Sequence, residues 1–152
     1  MIPLATDFVK CFEILFSYPE GGPVSLISGR QEWLWRAPRP AFWRAPTEND
    51  IGCGFPGKSA IWSAVETHQK CVGREILADS EDRFTIRYVF SADVMPSLQA
   101  DITYSIDRKG DLDVTVRYHG APNRPQLPLF GLRFATTKPL DTVTWAGLSG
   151  ET

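Results

Sequence analysis

The stretch ITYSIDRKGDLDVTVRY, residues 102–118, contains two runs in which apolar and polar residues alternate. The apolar members are Ile102, Tyr104 and Ile106 in the first run and Leu112, Val114, Val116 and Tyr118 in the second. A period of two is typical of a β-strand with one apolar face and one wet face. The polar connection DRKG, residues 107–110, ends in glycine and predicts a hairpin. The stretch therefore predicts antiparallel sheet.

The same pattern extends outward along the chain. After Arg83 the residues Phe84, Ile86, Tyr88 and Phe90 fall on one face, opposite Thr85 and Arg87. Further short strands are predicted at Cys11–Ser17, Val24–Ser28, Glu32–Arg36, Leu127–Thr136 and Thr142–Leu148. One segment, residues 58–69, has Ile61, Trp62 and Val65 at helical spacing and predicts a short helix. The expected fold is all-β, an antiparallel β-sandwich with one helix.

Composition limits the classes of function. The chain has 152 residues, enough for one domain spanning 1–152, with 43% hydrophobic and 22% charged residues. A net charge of −2 argues against nucleic acid or an anionic membrane as partner. The N-terminal residues lack the pattern of a secretory signal, and no 18-residue apolar run is present. Cysteines 11, 53 and 71 lack C-x-x-C spacing, so we expect a reducing, cytoplasmic location without disulfide framework or zinc site.

The segment GCGFPGKS, residues 52–59, matches the phosphate-loop pattern G-x-x-x-x-G-K-[ST]. A phosphate loop needs a buried strand before it, whereas the preceding WRAPTEND is polar and contains a proline. Pro56 removes one amide donor, and Glu48 and Asp50 would repel an anion. Nucleotide binding remains an alternative that rests on this motif alone.

A wider window gives a different interpretation. The segment AFWRAPTENDIGCGFPGKSAIW, residues 41–62, resembles the R-A-P-x-D-N-D-x-G segment of family 2 β-galactosidases, in their C-terminal β-domain or separate small subunit. EWLWR (32–36) with Pro38 and Pro40, the 102–118 hairpin and LPLFGLRF (127–134) resemble strands of that domain. TWAGLSGET (144–152) resembles the start of the family's W-x-G-x-G-P-x-E-x-Y-x-D-R motif. Glu48 replaces the usual first aspartate, and Ser149-Gly150 stands where Gly-Pro is common.

The resemblance implies a fold, a partner and a reaction. The fold would be the first half of a galactose mutarotase-like supersandwich, with the second half elsewhere. The partner would be the catalytic (β/α)₈ barrel or the large subunit of the same β-galactosidase, and galactoside would be bound only in the full enzyme. Retaining hydrolysis needs two carboxylates about 5 Å apart, which the barrel supplies, so we expect no catalytic residue here and an inactive isolated chain. Unpaired strand edges would favour self-association.

The candidate site is the loop after the R-A-P segment. In related enzymes this segment reaches toward the active site, and in some it supplies a carboxylate to an accessory metal. Residues 52–57 carry no carboxylate, so no metal or cofactor is expected in this chain; Mg²⁺ or Na⁺ would belong to the parent enzyme. The substrate-proximal candidates are Glu48, Asn49, Asp50, Gly52, Gly54 and Phe55, with Phe55 as the bulky contact group.

Each candidate also has a structural interpretation. Glu48 and Asp50 would lie about 7 Å apart on an extended chain, within the range of a glycosidase pair. Alternatively Glu48, Asn49 and Asp50 cap neighbouring backbone N–H groups. The tryptophans at 33, 35, 43, 62 and 145 favour packing over sugar stacking, and His68 and His119 have no metal-site spacing. A free-standing carbohydrate-binding module remains an alternative function.

Overall fold

A computed structural model of the chain describes residues 12–120, 122–142 and 144. Strands dominate the described ranges, and the three short helices of these ranges all lie between the fourth and fifth strands. The elements are β1 Phe12–Ser17, β2 Gly22–Ser28, β3 Gln31–Glu32, β4 Leu34–Ala41, α1 Glu48–Gly52, α2 Phe55–Lys58, α3 Ile61–His68, β5 Gln69–Asp79, β6 Arg83–Ala92, β7 Met95–Asp107, β8 Leu112–Tyr118 and β9 Gly131–Thr136. No helix in these ranges has the length and apolar character needed to cross a membrane.

The strands pair antiparallel in three sheets, ordered β1-β2-β3, β4-β9 and β5-β6-β7-β8. The predicted hairpin is confirmed, because Ile102 lies opposite Val116 and Ile106 opposite Leu112. The Asp107 carboxylate accepts hydrogen bonds from the Asp111 and Lys109 amides at 2.9 and 2.8 Å, and Gly110 has a φ of 78°. These bonds, the one from Asp111 foremost, lower the pKa of Asp107.

Aromatic rings join two layers into the predicted sandwich. The buried faces of β6 and β7 supply Tyr88 and Tyr104, and Phe16 of β1 packs on them with ring centroids 6.3 and 5.5 Å away. Leu132 of β9 contacts the same cluster. Since β1 and β9 belong to the sheets opposite β5–β8, this core lies between the layers, and the all-β sandwich is confirmed.

A second core lies under α3. Trp62 and Val65 of this helix are buried against Phe42, which follows β4, and against Ala92, Met95, Leu98 and Ala100. The ring of Trp62 stacks on Phe42 at 6.0 Å and meets Tyr118 edge-on at 5.9 Å. Helix α3 therefore closes one end of the sandwich and fixes the segment between β4 and α3, which holds the candidate loop.

Some predicted boundaries were wrong. The helix predicted over residues 58–69 is confirmed as α3, Ile61–His68, but Lys58 ends α2 and Gln69 already belongs to β5. Helices α1 and α2 were not predicted. Strand β5 was missed because register shifts between Cys71 and Gly73 and between Ile76 and Ala78 interrupt its alternation. The strand predicted over 127–136 begins only at Gly131. Cys11 and most of the strand predicted over 142–148 lie outside the described residues.

Candidate functional site

The segment RAPTEND, residues 44–50, folds into a closed polar turn. Helix α1 begins at Glu48 with Thr47 as its N-cap, whose hydroxyl accepts a hydrogen bond from the Asp50 amide at 3.3 Å. The Asp50 carboxylate accepts one in return from the Thr47 amide at 2.8 Å. This is a reciprocal capping box with aspartate at the third helical position. The prediction that the acidic turn caps backbone N–H groups is thus confirmed for Asp50.

Arg44 clamps the same carboxylate from the other side. Its Nη1 donates to Asp50 Oδ2 at 2.6 Å and its Nη2 to Oδ1 at 3.2 Å, the paired geometry that a guanidinium makes with a carboxylate. Arg44 also donates to the Pro128 carbonyl at 3.3 Å and to the Ala45 carbonyl at 3.1 Å. The turn is therefore tied to the loop that precedes β9.

The clamp decides what Asp50 can do chemically. The Arg44 hydrogen bonds, helped by the Thr47 amide, hold the pKa of Asp50 at about 2, and Asp50 raises the pKa of Arg44. A carboxylate with both oxygens engaged stays ionised at neutral pH, so it neither donates nor accepts protons near pH 7. Asp50 therefore has a structural role in the described geometry.

The extended arrangement expected for Glu48 and Asp50 is wrong. Both residues lie in α1, where side chains two positions apart do not face each other. Glu48 and Asn49 are exposed, while Asp50 turns inward to Arg44. The two carboxylates consequently do not form the facing pair that glycoside hydrolysis needs.

Residues 52–59 form two tight turns. The amides of Cys53 and Gly54 donate to the carbonyls of Asn49 and Ile51, and the Ser59 amide donates to Phe55. Gly54 has a φ of 70°, a conformation that suits glycine, and is the N-cap of α2. The Lys58 ammonium turns back to the Cys53 carbonyl at 3.1 Å. Since these groups bond within the loop, the geometry does not support a phosphate cradle.

The apolar side chains of this loop differ in how far they are exposed. Phe55 is half-buried, whereas Ile51 at the end of α1 is 64% exposed. Gly52, Gly54 and Gly57 are exposed, with open space around each position where a side chain would begin. Ile51, which is followed by Gly52 and Gly54, is therefore the apolar side chain that projects from this loop.

Helix α3 anchors the other end of the loop. The buried Ser59 hydroxyl donates to the Gln126 carbonyl at 3.1 Å, and the Trp62 indole donates to the Pro125 carbonyl at 3.1 Å. Both bonds hold the proline-rich segment 122–128, which also receives Arg44. Hydrogen bonds therefore fix the chain on both sides of the loop over residues 51–57.

The tryptophans separate into two groups. Trp62 is buried and Trp43 packs partly against the same core, as the packing interpretation predicts. Trp33 is partly exposed and Trp35 is 75% exposed, so Trp35 faces solvent. Trp145 lies outside the described residues.

The two histidines do not form a metal site with other described residues. His119 bonds the buried carboxylate of Asp101, and His68 is exposed. The described residues contain no group of three metal-binding side chains.

Comparison with known proteins identifies the family. Residues 9–152 match the family described as beta galactosidase small chain. The chain belongs to this family. It is 36% identical over 160 residues to the β-galactosidase small subunit of Latilactobacillus sakei, a match that covers 93% of this chain and 50% of that protein.

Two further relatives are named β-galactosidase. The Clostridium acetobutylicum protein is 32% identical over 142 residues, which cover 93% of this chain and 16% of that protein. The protein of Lactobacillus delbrueckii subsp. bulgaricus is 35% identical over 138 residues, which cover 90% of this chain and 14% of that protein. The small chain thus spans about half the length of one relative and a much smaller part of the others.

Sequence reasoning missed Arg44 as the partner of Asp50. The signal was present, because Thr47 precedes an acidic residue at the third helical position and so predicts the start of a helix. It also missed Glu66, which accepts hydrogen bonds from the Phe42 and Trp43 amides at 2.9 and 2.7 Å. That contact joins α3 to the residues after β4 and has no local sequence signal.

Proposed function

We propose that this chain is a non-catalytic β-sandwich of a family 2 β-galactosidase. It would be part of a galactose mutarotase-like supersandwich that packs on the catalytic barrel or large subunit and places residues 51–57 beside the galactoside site. The barrel would supply both carboxylates of the hydrolysis. Membership of the small-chain family and the names of the relatives support this proposal.

The clamp between Arg44 and Asp50 is the observation that carries the role of the loop. The inward-facing carboxylate of Asp50 fixes α1 through this clamp. The apolar side chain of Ile51 remains exposed. A fixed base with an exposed apolar contact group suits a surface that shapes a neighbouring site. Proton transfer at this loop is not part of the proposal, because the pKa of Asp50 is about 2.

A metal does not fit the candidate loop. Mg²⁺ takes oxygen ligands, mainly carboxylates and water, and Na⁺ would likewise need oxygen donors there. Residues 52–57 contain no carboxylate, and both oxygens of Asp50 are already engaged. We therefore assign any Mg²⁺ or Na⁺ of the parent enzyme to its catalytic part.

Exposed apolar side chains on β4 and β9 support packing against another protein surface. Trp35 on β4 is 75% exposed, and Phe134 on the adjacent strand β9 is 52% exposed. Large exposed apolar side chains on paired strands provide surface that another protein can cover. These residues provide contact area for a catalytic domain beyond the loop itself.

Photo-crosslinking tests where the loop lies. Ile51 is replaced by benzoylphenylalanine, the chain is combined with the large subunit of the enzyme, and the crosslinked peptides are found by mass spectrometry. We expect crosslinks to peptides that contain the catalytic carboxylates, which a saturating galactose analogue reduces. The matched control places the same group at Lys109 in the β7–β8 hairpin. Crosslinks from position 51 that avoid the active site would contradict the proposed location.

The exposed indole of Trp35 also favours a second function, binding of sugar by a free-standing module, since aromatic faces stack on sugar rings. Titration of the isolated chain with galactose, followed by tryptophan fluorescence, distinguishes the two. Saturable binding that is lost in Trp35→Ala would favour the free-standing module.

A further inference from the structure

A polar cleft lies between the two-stranded β4–β9 sheet and the C-terminal end of α3. Its volume is about 380 Å³. We call it the arginine cleft, because three of its lining side chains are arginines. It is lined by Arg36, Arg39, Pro40, Glu66, Thr67, Gln69 and Arg133. It is separate from the loop over residues 51–57, none of whose residues lines it.

The one carboxylate lining the cleft is already saturated. Glu66 Oε1 lies 2.6 Å from Arg133 Nη1, and its Oε2 accepts the Phe42 and Trp43 amides. Arg133 also donates to the Trp43 carbonyl at 3.2 Å. Glu66 is thus engaged in holding the chain after β4 and does not neutralise the other two arginines.

The positive charges of Arg36 and Arg39 are only weakly compensated by acidic groups among the described residues. Arg39 pairs with Glu20 at 3.1 Å, but both side chains are largely exposed, and such pairs contribute little. Arg36 is exposed and has no hydrogen-bond or ion-pair partner among the described residues.

The strand register adds a conflict. Arg39 lies directly opposite Arg133 in the β4–β9 pairing. Like charges placed directly opposite in adjacent strands are destabilising. Pairs of like charge of this kind are expected at sites where residues contribute to binding at a cost in stability.

Gln69 provides an unused acceptor beside these donors. The side chain is 5% exposed, and its Nε2 donates to the Pro40 and Glu66 carbonyls at 2.9 and 3.1 Å. These two bonds fix the amide orientation, and Oε1 accepts no hydrogen bond within the described part of the chain. The cleft thus combines guanidinium donors with a buried oxygen that lacks a donor. Leaving a buried oxygen without a hydrogen-bond donor costs free energy. A bound group that donates a hydrogen bond to Gln69 Oε1 would therefore bind more favourably.

We propose that the arginine cleft receives an acidic segment of the catalytic chain of the β-galactosidase. This inference rests on the proposed function. A carboxylate bonds the forked donors of Arg36 and Arg39, and a backbone N–H of the same segment supplies the donor that Gln69 lacks. A galactoside is uncharged and leaves the arginines uncompensated.

Charge reversal at Arg36 tests the proposal. The full chain, its Arg36→Glu and Arg36→Gln variants, and the control Arg108→Glu are titrated against the large subunit by biolayer interferometry. Arg108 is an exposed arginine of the β7–β8 hairpin that pairs with Asp82 at 3.2 Å. We expect Arg36→Glu to weaken binding about tenfold or more, and Arg36→Gln less, while the control stays within about twofold of the wild type. The Kd of Arg36→Gln should depend less on salt concentration than the Kd of the wild type does.

The outcomes separate this proposal from the proposed function. Wild-type binding with unchanged affinity of both Arg36 variants would overturn the cleft proposal and leave the proposed function standing. No binding by the wild type would overturn both. Loss of self-association, instead of loss of binding to the large subunit, would show that a second copy occupies the cleft, and would contradict the proposal. Melting curves of each variant confirm that it is folded.

Discussion

Arg44 holds Asp50, six residues further along the chain, by two hydrogen bonds of 2.6 and 3.2 Å between its guanidinium and the carboxylate. The same carboxylate accepts the Thr47 amide, so one acidic side chain joins the cap of α1 to the chain that enters it. The position of Ile51 and the glycines after it depends on this clamp.

Arg44→Lys should loosen α1 without unfolding the sandwich. Lysine keeps the charge but loses the paired donors, so the last turn of α1 should open more often. We expect amide exchange over residues 51–54 to quicken by about tenfold, with little change in β6 and β7. Hydrogen–deuterium exchange with mass spectrometry measures this. Arg39→Lys, at an exposed ion pair, is the control, and equal protection in Arg44→Lys and wild type would refute the clamp.

Acid should weaken the fold partly through Asp50. Its pKa in the folded chain is about 2, below its ordinary value of 3.8. A lowered folded-state pKa means that the stabilisation is fully present above about pH 4 and is lost as the pH falls toward 2. Denaturant melts from pH 6 to pH 2 should therefore show a smaller acid loss for Asp50→Asn than for wild type.

Glu32 contributes to the same acid loss and must be separated from Asp50. Hydrogen bonds from the Ser25 hydroxyl and then from the Leu26 and Leu34 amides hold its pKa at about 2, below 4.5. A double variant, Glu32→Gln with Asp50→Asn, should flatten the pH dependence further. Identical pH profiles for Asp50→Asn and wild type would show that the Arg44 clamp does not stabilise the ionised form.

Gly21→Ala should destabilise the sandwich strongly. Gly21 has a φ of 72°, and an added Cβ would lie 2.6 Å from Phe90 Cζ and 2.8 Å from Cys71 Cβ. We expect a loss of about 2–4 kcal/mol in the free energy of unfolding, from left-handed strain plus overpacking. Gly29 has a φ of 59° with nothing within 4 Å, so Gly29→Ala should lose only about 1–2 kcal/mol. Urea melts compare them, and equal losses would contradict the close contact.

The edge strand β5 should promote self-association. Among the described strands it lies at the edge of the four-stranded sheet, and Val72, Ile76 and Leu77 on it are exposed. Exposed apolar edge strands pair readily with other chains, and a lysine on the edge opposes this. Sedimentation velocity of the isolated chain should show concentration-dependent association, which Ile76→Lys reduces several-fold. A monomer at all concentrations would contradict this prediction.

Local sequence patterns predict most of the strands. Alternation in β6, β7 and β8 predicts the central sheet, and the DRKG connection predicts its hairpin, because both depend on neighbouring residues. Strand β5 was not predicted, because its two register shifts interrupt the two-residue alternation of apolar and polar residues that indicates a strand. The sequence TEND, residues 47–50, is sufficient to place the start of α1, because Thr47 is followed three residues later by the acidic Asp50.

Long-range partners could not be predicted in the same way. The arginine cleft exists only because β4 pairs with β9 and sets Arg39 opposite Arg133. Neither strand shows this in its own sequence, and the Pro-containing β4 gives a weak strand signal. The exposure of Ile51 instead of Phe55 likewise depends on how α1 and α2 fold back on each other.

The most direct test of the central claim is the rate of hydrolysis of a chromogenic β-galactoside as this chain is titrated into a fixed amount of large subunit. We expect no turnover by the chain alone, and a rate that rises with added chain and saturates near one chain for each large subunit. Turnover by the pure chain, or a rate of the large subunit that does not respond to added chain, would contradict the proposed non-catalytic role.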